Sequence, residues 1–409
     1  MARIRLFMDL RPLGESSAFR RLWLGGLLSV IGSQMTTFAV ALQVYTITRS
    51  AIAVGGVGLA AGIPAIVFGL IGGSVVDAVD RRKLMLLTSS LLAAVSAAFA
   101  WQALAGNGQV WPLYLLIVVQ STIASVNSAA LRTFAPRLLP PELLPAGAAL
   151  NVFAFHGSMI IGPPIAGLIA AGWGLRGCYL VDLVSFAGAL YGIARLPPMR
   201  PRGTPTRPGL RSVLAGLRFI KGSRVITGAF LADVNATALG MPFALFPAVN
   251  AEHFGGDPKT LGLLNAAPAI GGVIGSVLSG PMRHVRRQGL AMLVAGGVWG
   301  LGVLGFGLAP TLGVAIASLA LAGAADAISV VCWSAMVQVL TPDEFRGRVA
   351  AAEIVVGAGV PQLGNFRAGA VASLTTPAAG AVIGGVSVIG GAVLIGLFVP
   401  ALVRYRTTR

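Results

Sequence analysis

Charge is scarce in this chain: Asp, Glu, Lys and Arg make up 11% of its 409 residues, against about 25% in globular domains. With 56% of residues hydrophobic, one or two soluble cores cannot absorb the apolar side chains, and the surplus must face lipid. Acids are scarcest, 13 against 30 Lys and Arg, which leaves a formal charge of +17. A basic balance can attract nucleic acid. Here the cations avoid the apolar runs and collect between them, as the positive-inside rule requires of cytoplasmic loops. Membrane lipids are therefore expected partners and nucleic acid is not. The excess of Arg over Lys reads as base composition.

The two cysteines, Cys178 and Cys332, lie far apart in apolar context and offer neither a disulfide framework nor metal-ligand spacing. The three histidines, His156, His253 and His284, fall on different segments without a ligand pair at helical spacing. No phosphate-cradling loop followed by Lys and Ser/Thr occurs. No catalytic residue, metal or cofactor is expected, and an ATP-driven pump would need another polypeptide.

Long apolar runs are abundant. Leu22–Val44, Leu84–Leu104 and Gly289–Leu308 are apolar or small on every face, and about 20 such residues cross a bilayer. With Arg clusters, Pro and Gly as punctuation, spans 1 to 6 fall at about 21–46, 51–76, 84–105, 111–132, 148–172 and 178–195. Spans 7 to 12 fall at about 224–250, 260–282, 289–309, 312–338, 348–373 and 378–403. The stretch 196–223 is too rich in Pro and charge to span. The expected fold is an all-α membrane protein of twelve transmembrane helices, with bundles at 1–195 and 224–409 joined by a cytoplasmic linker at 196–223. The basic amino end before a long apolar run, without a small-residue cleavage site, reads as an uncleaved first span.

Placing both termini in the cytoplasm puts all Lys and Arg on that side except Arg49, Arg176, Lys259 and Arg367. The halves also resemble each other weakly. Arg137-Leu138-Leu139-Pro140-Pro141-Glu142-Leu143 before span 5 corresponds to Val339-Leu340-Thr341-Pro342-Asp343-Glu344-Phe345 before span 11. Span 2 ends in Gly73 and a basic loop, and span 8 in Gly280 with Arg283, Arg286 and Arg287. Pro-acid pairs also cap helix starts, but these two matches at corresponding loops favour two pseudo-symmetric six-helix bundles.

The connection between spans 2 and 3 reads Gly73-Ser74-Val75-Val76-Asp77-Ala78-Val79-Asp80-Arg81-Arg82-Lys83. It resembles the signature loop of the major facilitator superfamily, with Gly73, Asp77, Arg81 and Arg82 matching; Ala78 and Asp80 depart from the usual Arg and Gly. The resemblance implies a cytoplasmic latch, whereas topology alone reads the loop as a basic anchor. Further stretches resemble the branch of enterobactin exporters and macrolide-efflux proteins. They include Ala18-Phe19-Arg20, Ser212-Val213-Leu214-Ala215-Gly216-Leu217-Arg218-Phe219, Met241-Pro242-Phe243-Ala244-Leu245-Phe246-Pro247-Ala248, Leu261-Gly262-Leu263-Leu264 with Ala267-Pro268, and Arg346-Gly347-Arg348-Val349. In span 5, Gly157, Gly162, Pro163 and Gly167 resemble part of an antiporter motif, and also suit ordinary close packing. Span 4 has no mid-membrane Arg, which many proton-coupled antiporters carry there.

Four acids fall inside spans: Asp182, Asp233, Asp326 and Glu353. An intramembrane charge costs about 2.5–3.5 kcal/mol on insertion scales, so each is a functional candidate. Asp233 and Asp326 lie nearest mid-membrane. Asp182 near the outer end and Glu353 near the cytoplasmic end also suit structural hydrogen bonding. All four are candidates for proton coupling, with Asp233 the principal one, because a group whose charge is disfavoured at that depth can load and release a proton as access alternates. Gln34, Gln43, Gln120, Asn127 and Asn235 offer further polar contacts to a cavity.

The resemblance implies a monomeric secondary exporter of a siderophore or amphipathic drug-like molecule, exchanging cargo for protons by alternating access in a bacterial cytoplasmic membrane. The alternative from another class is a receptor or assembly partner on the transporter fold, against which the latch residues and buried acids argue.

Overall fold

Helix caps mark where one span stops and the next begins. Asp80 accepts the backbone N–H groups of Arg82 and Lys83 at the start of span 3 (2.9 and 3.2 Å), and Asp257 accepts that of Lys259 (2.9 Å) ahead of span 8. Thr311 and Thr376 do the same for spans 10 and 12. Each cap satisfies an N–H that the helix leaves without an internal partner.

The computed structural model describes residues 9–197, 199, 210–280, 282 and 285–406, without the side chains of 70–78 and 210–212. Among these residues no strand occurs. Twelve helices are long and apolar enough to cross a membrane, one for each expected span. The first six occupy Ser17–Thr48, Ala51–Ala78, Arg81–Leu104, Trp111–Leu131, Leu144–Trp173 and Leu175–Ala194. Span 7 is Arg224–Gly240 continued by Phe246–His253, and Pro258–Leu278, Gln288–Gly307, Leu312–Leu340, Asp343–Leu374 and Pro377–Phe398 complete the set. Spans 5 and 11 start about a turn before their apolar runs, because i→i−4 hydrogen bonding does not stop at the bilayer edge. Span 7 breaks at Met241–Pro242, where proline removes a backbone donor.

Contacts divide the chain into two units. One holds Met1–Val40 and Val67–Arg207. There span 3 packs along spans 4 and 6, and Leu22, Met85, Ala130, Phe134 and Ile193 close a core at its basic end.

The other holds Ala41–Ile66 and Pro208–Arg409. The division thus falls inside the expected linker and also crosses spans 1 and 2. Span 10 packs on spans 8 and 9, and span 9 on span 12. Spans 8 and 10 meet backbone to backbone: a Cβ on Gly275 would stand 2.7 Å from the Cα of Ala324, an approach open only to small residues. The 41–66 hairpin meets span 11 in the same way, a Cβ on Gly55 reaching within 2.8 Å of the Asn365 carbonyl oxygen. Part of the linker is itself a helix, Leu210–Gly222. Val213, Leu217 and Ile220 recur at helical spacing, and the helix packs on span 11.

Candidate functional site

Three of the four intramembrane acids share one unit. Asp233 stands nine residues, ~14 Å, from the start of span 7, and Glu353 ten residues, ~15 Å, from the start of span 11. Asp326 stands fourteen residues, ~21 Å, from the end of span 10. Spans alternate in direction, so these three helix ends lie on one side and the carboxyls occupy neighbouring depths. Asp233 lies within electrostatic reach of both Asp326 and Glu353. Asp326 is exposed, and Asp233 and Glu353 are half-buried.

An aromatic pair borders this cluster. Trp333 donates its Nε1–H to Glu353 Oε1 at 3.1 Å, and its ring meets Phe230 edge-on with centroids 4.4 Å apart. Phe230 is one turn before Asp233 on span 7. Trp333 thereby ties spans 7, 10 and 11 together beside the acids. Sequence reading had singled out neither aromatic. A Trp two helical turns from an intramembrane Asp was the available signal.

Asp182 belongs to the other unit and does not join the cluster. It is 0% exposed, as are Thr36 and Ser96. The Thr36 and Ser96 hydroxyls both donate to its Oδ2, at 2.7 and 2.6 Å. Spans 1, 3 and 6 are pinned together at this one carboxylate oxygen.

The break in span 7 has its own clasp. Arg367 Nη1 donates to the Leu239 carbonyl at 2.6 Å, and Asn365 Oδ1 accepts from the Ala244 backbone N–H at 3.3 Å. Two side chains of span 11 thus satisfy backbone groups that the break releases, as non-helical backbone at membrane depth requires. Arg367, counted by charge alone among cations of the outer side, has this structural partner. Asn235, expected to line a cavity, is buried and donates to the Val388 carbonyl of span 12 at 2.9 Å. Asn127 accepts from Thr88 at 2.7 Å, joining spans 3 and 4.

Gly73 and Asp77 fall in 70–78, whose side chains lie outside the described residues, as do His284 and the basic residues of 1–8, 200–209, 283 and 407–409. Arg82 Nη2 donates to the Ala194 carbonyl at 2.6 Å, a cation at the negative end of span 6. Arg81 shares a cavity wall with Arg132 and Arg137. Of the span 5 motif, Gly162, Pro163 and Gly167 are buried. A Cβ on Gly162 would meet that of Gln34 at 2.7 Å, whereas Gly157 faces open space. Among the described residues no group of three or more His, Cys, Asp and Glu could hold a metal ion.

Twelve apolar helices, one of them broken at membrane depth, are the architecture of a membrane transporter. The chain belongs to the transmembrane secretion effector family of the major facilitator superfamily, which matches residues 9–406. Over 405 residues it is 29% identical to the enterobactin exporter EntS of Shigella boydii serotype 18 (strain CDC 3083-94 / BS512), covering 98% of this chain and 96% of that protein. The same figures hold for EntS of Escherichia coli (strain SMS-3-5 / SECEC). Among solved structures, the nucleoside transporter NupG superposes with a TM-score of 0.74 at 13% identity, over 95% of this chain and 99% of that one. A bacterial homologue of the iron transporter ferroportin in its inward-facing state gives 0.69 at 17% identity, over 95% and 99%. These structural likenesses establish the fold.

Proposed function

We propose that the protein is a secondary active exporter of a siderophore, driven by proton antiport through alternating access. The observation that carries the antiport reading is the convergence of Asp233, Asp326 and Glu353 from three spans at neighbouring depths. Carboxyls within electrostatic reach of one another at membrane depth are suited to hold protons that a cargo displaces. The name of the relatives, enterobactin exporter, supports a siderophore cargo; an amphipathic drug-like molecule is the other cargo to test. The reading places a monomer in a bacterial cytoplasmic membrane with both termini inside, and divides it into bundles 1–195 and 224–409 around the linker 196–223. In it, Gly73, Asp77, Arg81 and Arg82 form the cytoplasmic latch. Asp77→Asn then slows every cargo alike.

The test is transport by the purified protein in liposomes under an imposed pH gradient, with a catecholate siderophore and a lipophilic dye as separate cargoes. Uphill movement of the siderophore that stops when an ionophore collapses the gradient is the expected result. Transport of the dye alone reassigns the cargo. Uphill transport indifferent to the proton gradient overturns antiport.

A further inference from the structure

The linker helix Leu210–Gly222 has two unlike faces. One bears Val213, Gly216 and Ile220, all buried, and packs on span 11. A Cβ on Gly216 would collide with the Arg348 backbone. Phe219 stacks on Phe345 at 4.6 Å, and the Arg348 guanidinium lies over that second ring at 5.1 Å. These contacts fix the rotation of the helix. The opposite face presents Leu214, Arg218 and Lys221 at i, i+4 and i+7, all exposed, with exposed Arg224 following at the start of span 7. Leu214 is 63% exposed, and no acid occurs between Pro208 and Ala232.

A large aliphatic side chain framed by cations, with no anion of its own segment to answer them, fits a headgroup boundary. There the Leu enters the acyl edge while the cations meet phosphates. We propose that this face is a docking surface for anionic phospholipid headgroups, which hold the linker on the membrane and, through Gly216 and Phe219, brace the start of span 11. The inference rests on the membrane placement of the spans and is independent of cargo and coupling.

Cys178 and Cys332 are buried, so a cysteine placed on the surface can be labelled selectively. The full chain carrying Leu214→Cys with a bimane label is reconstituted in liposomes containing brominated phosphatidylglycerol or, at equal mole fraction, brominated phosphatidylcholine. The expected result is quenching about twofold stronger with the anionic lipid, reduced to parity by Arg218→Gln with Lys221→Gln. Equal quenching by both lipids without those two changes overturns headgroup recognition. Absence of quenching by either, the outcome for a face turned to water or to a protein partner, overturns docking on lipid. A label at Val393→Cys, 56% exposed on span 12, separates the causes: if it too escapes quenching, the membrane placement falls and the proposal with it.

Discussion

Asp182 and Asp233 are both acids inside membrane spans, yet their surroundings are opposite. Asp182 is sealed, and two hydroxyls from two other helices converge on one of its oxygens. Asp233 is half-buried, and the groups within its electrostatic reach include two further carboxyls. The two hydroxyls on Oδ2 tie their helices to span 6, while Oδ1 of the same carboxyl is buried without a hydrogen-bond partner. A cluster of carboxyls gains from taking up protons or a cation instead. Intramembrane acids therefore divide by neighbourhood into pins and exchangers, and the charge alone does not assign the role.

The strongest challenge to that division is Asp233→Asn, which keeps size and hydrogen-bonding capacity. In inverted vesicles it is expected to abolish gradient-driven export while downhill exchange persists. Full uphill export by this variant would move coupling to Asp326 or Glu353. The matching change, Asp182→Asn, retains an acceptor for Thr36 and Ser96 and is expected to leave export near its unsubstituted rate; loss of coupling there would erase the contrast.

A smaller effect separates the two as structural elements. Asp182→Ala strands two buried hydroxyls, at a cost of about 1–3 kcal/mol for each that finds no new acceptor, so thermal unfolding in detergent shifts downward. An unchanged midpoint would show that the pin contributes nothing. Asp326→Ala, at an exposed position, is expected to change the midpoint little.

The smallest expected effect sharpens the comparison inside the cluster. Trp333→Phe keeps a ring against Phe230 but removes the donor to Glu353, a bond worth about 0.5–1.5 kcal/mol, or up to ~10-fold in rate. The expected signature is a displaced pH profile of export with cargo binding retained. If Glu353→Gln, which can still accept from Trp333, behaves as the unsubstituted protein while Trp333→Phe is slow, the pair is structural and belongs with Asp182.

Much of this was open to reading in the residues themselves. Apolar runs separated by Arg clusters located all twelve spans. The acids stood out because they lie in apolar surroundings. The clasp of Asn365 and Arg367 on the broken ends of span 7 was not legible, since partners more than a hundred residues away follow from packing. The linker helix escaped as well: its apolar positions are spaced for a helix, but Pro and charge dominate the stretch around them.

By itself, the sequence determined how many helices cross the membrane and where each lies to within about a turn. The reason is largely local: in lipid a backbone N–H or C=O is satisfied most readily within its own helix, so an apolar run of sufficient length becomes one. At the span 7 break, side chains of span 11 take over that role. Only the tertiary structure decided which face each helix turns to the next. That rotation set Asp182 against Thr36 and Ser96, brought Asp233, Asp326 and Glu353 into one neighbourhood and laid Trp333 on Phe230. Side chains on nearly featureless apolar helices find their partners through close packing of small residues, and such packing depends on two surfaces at once.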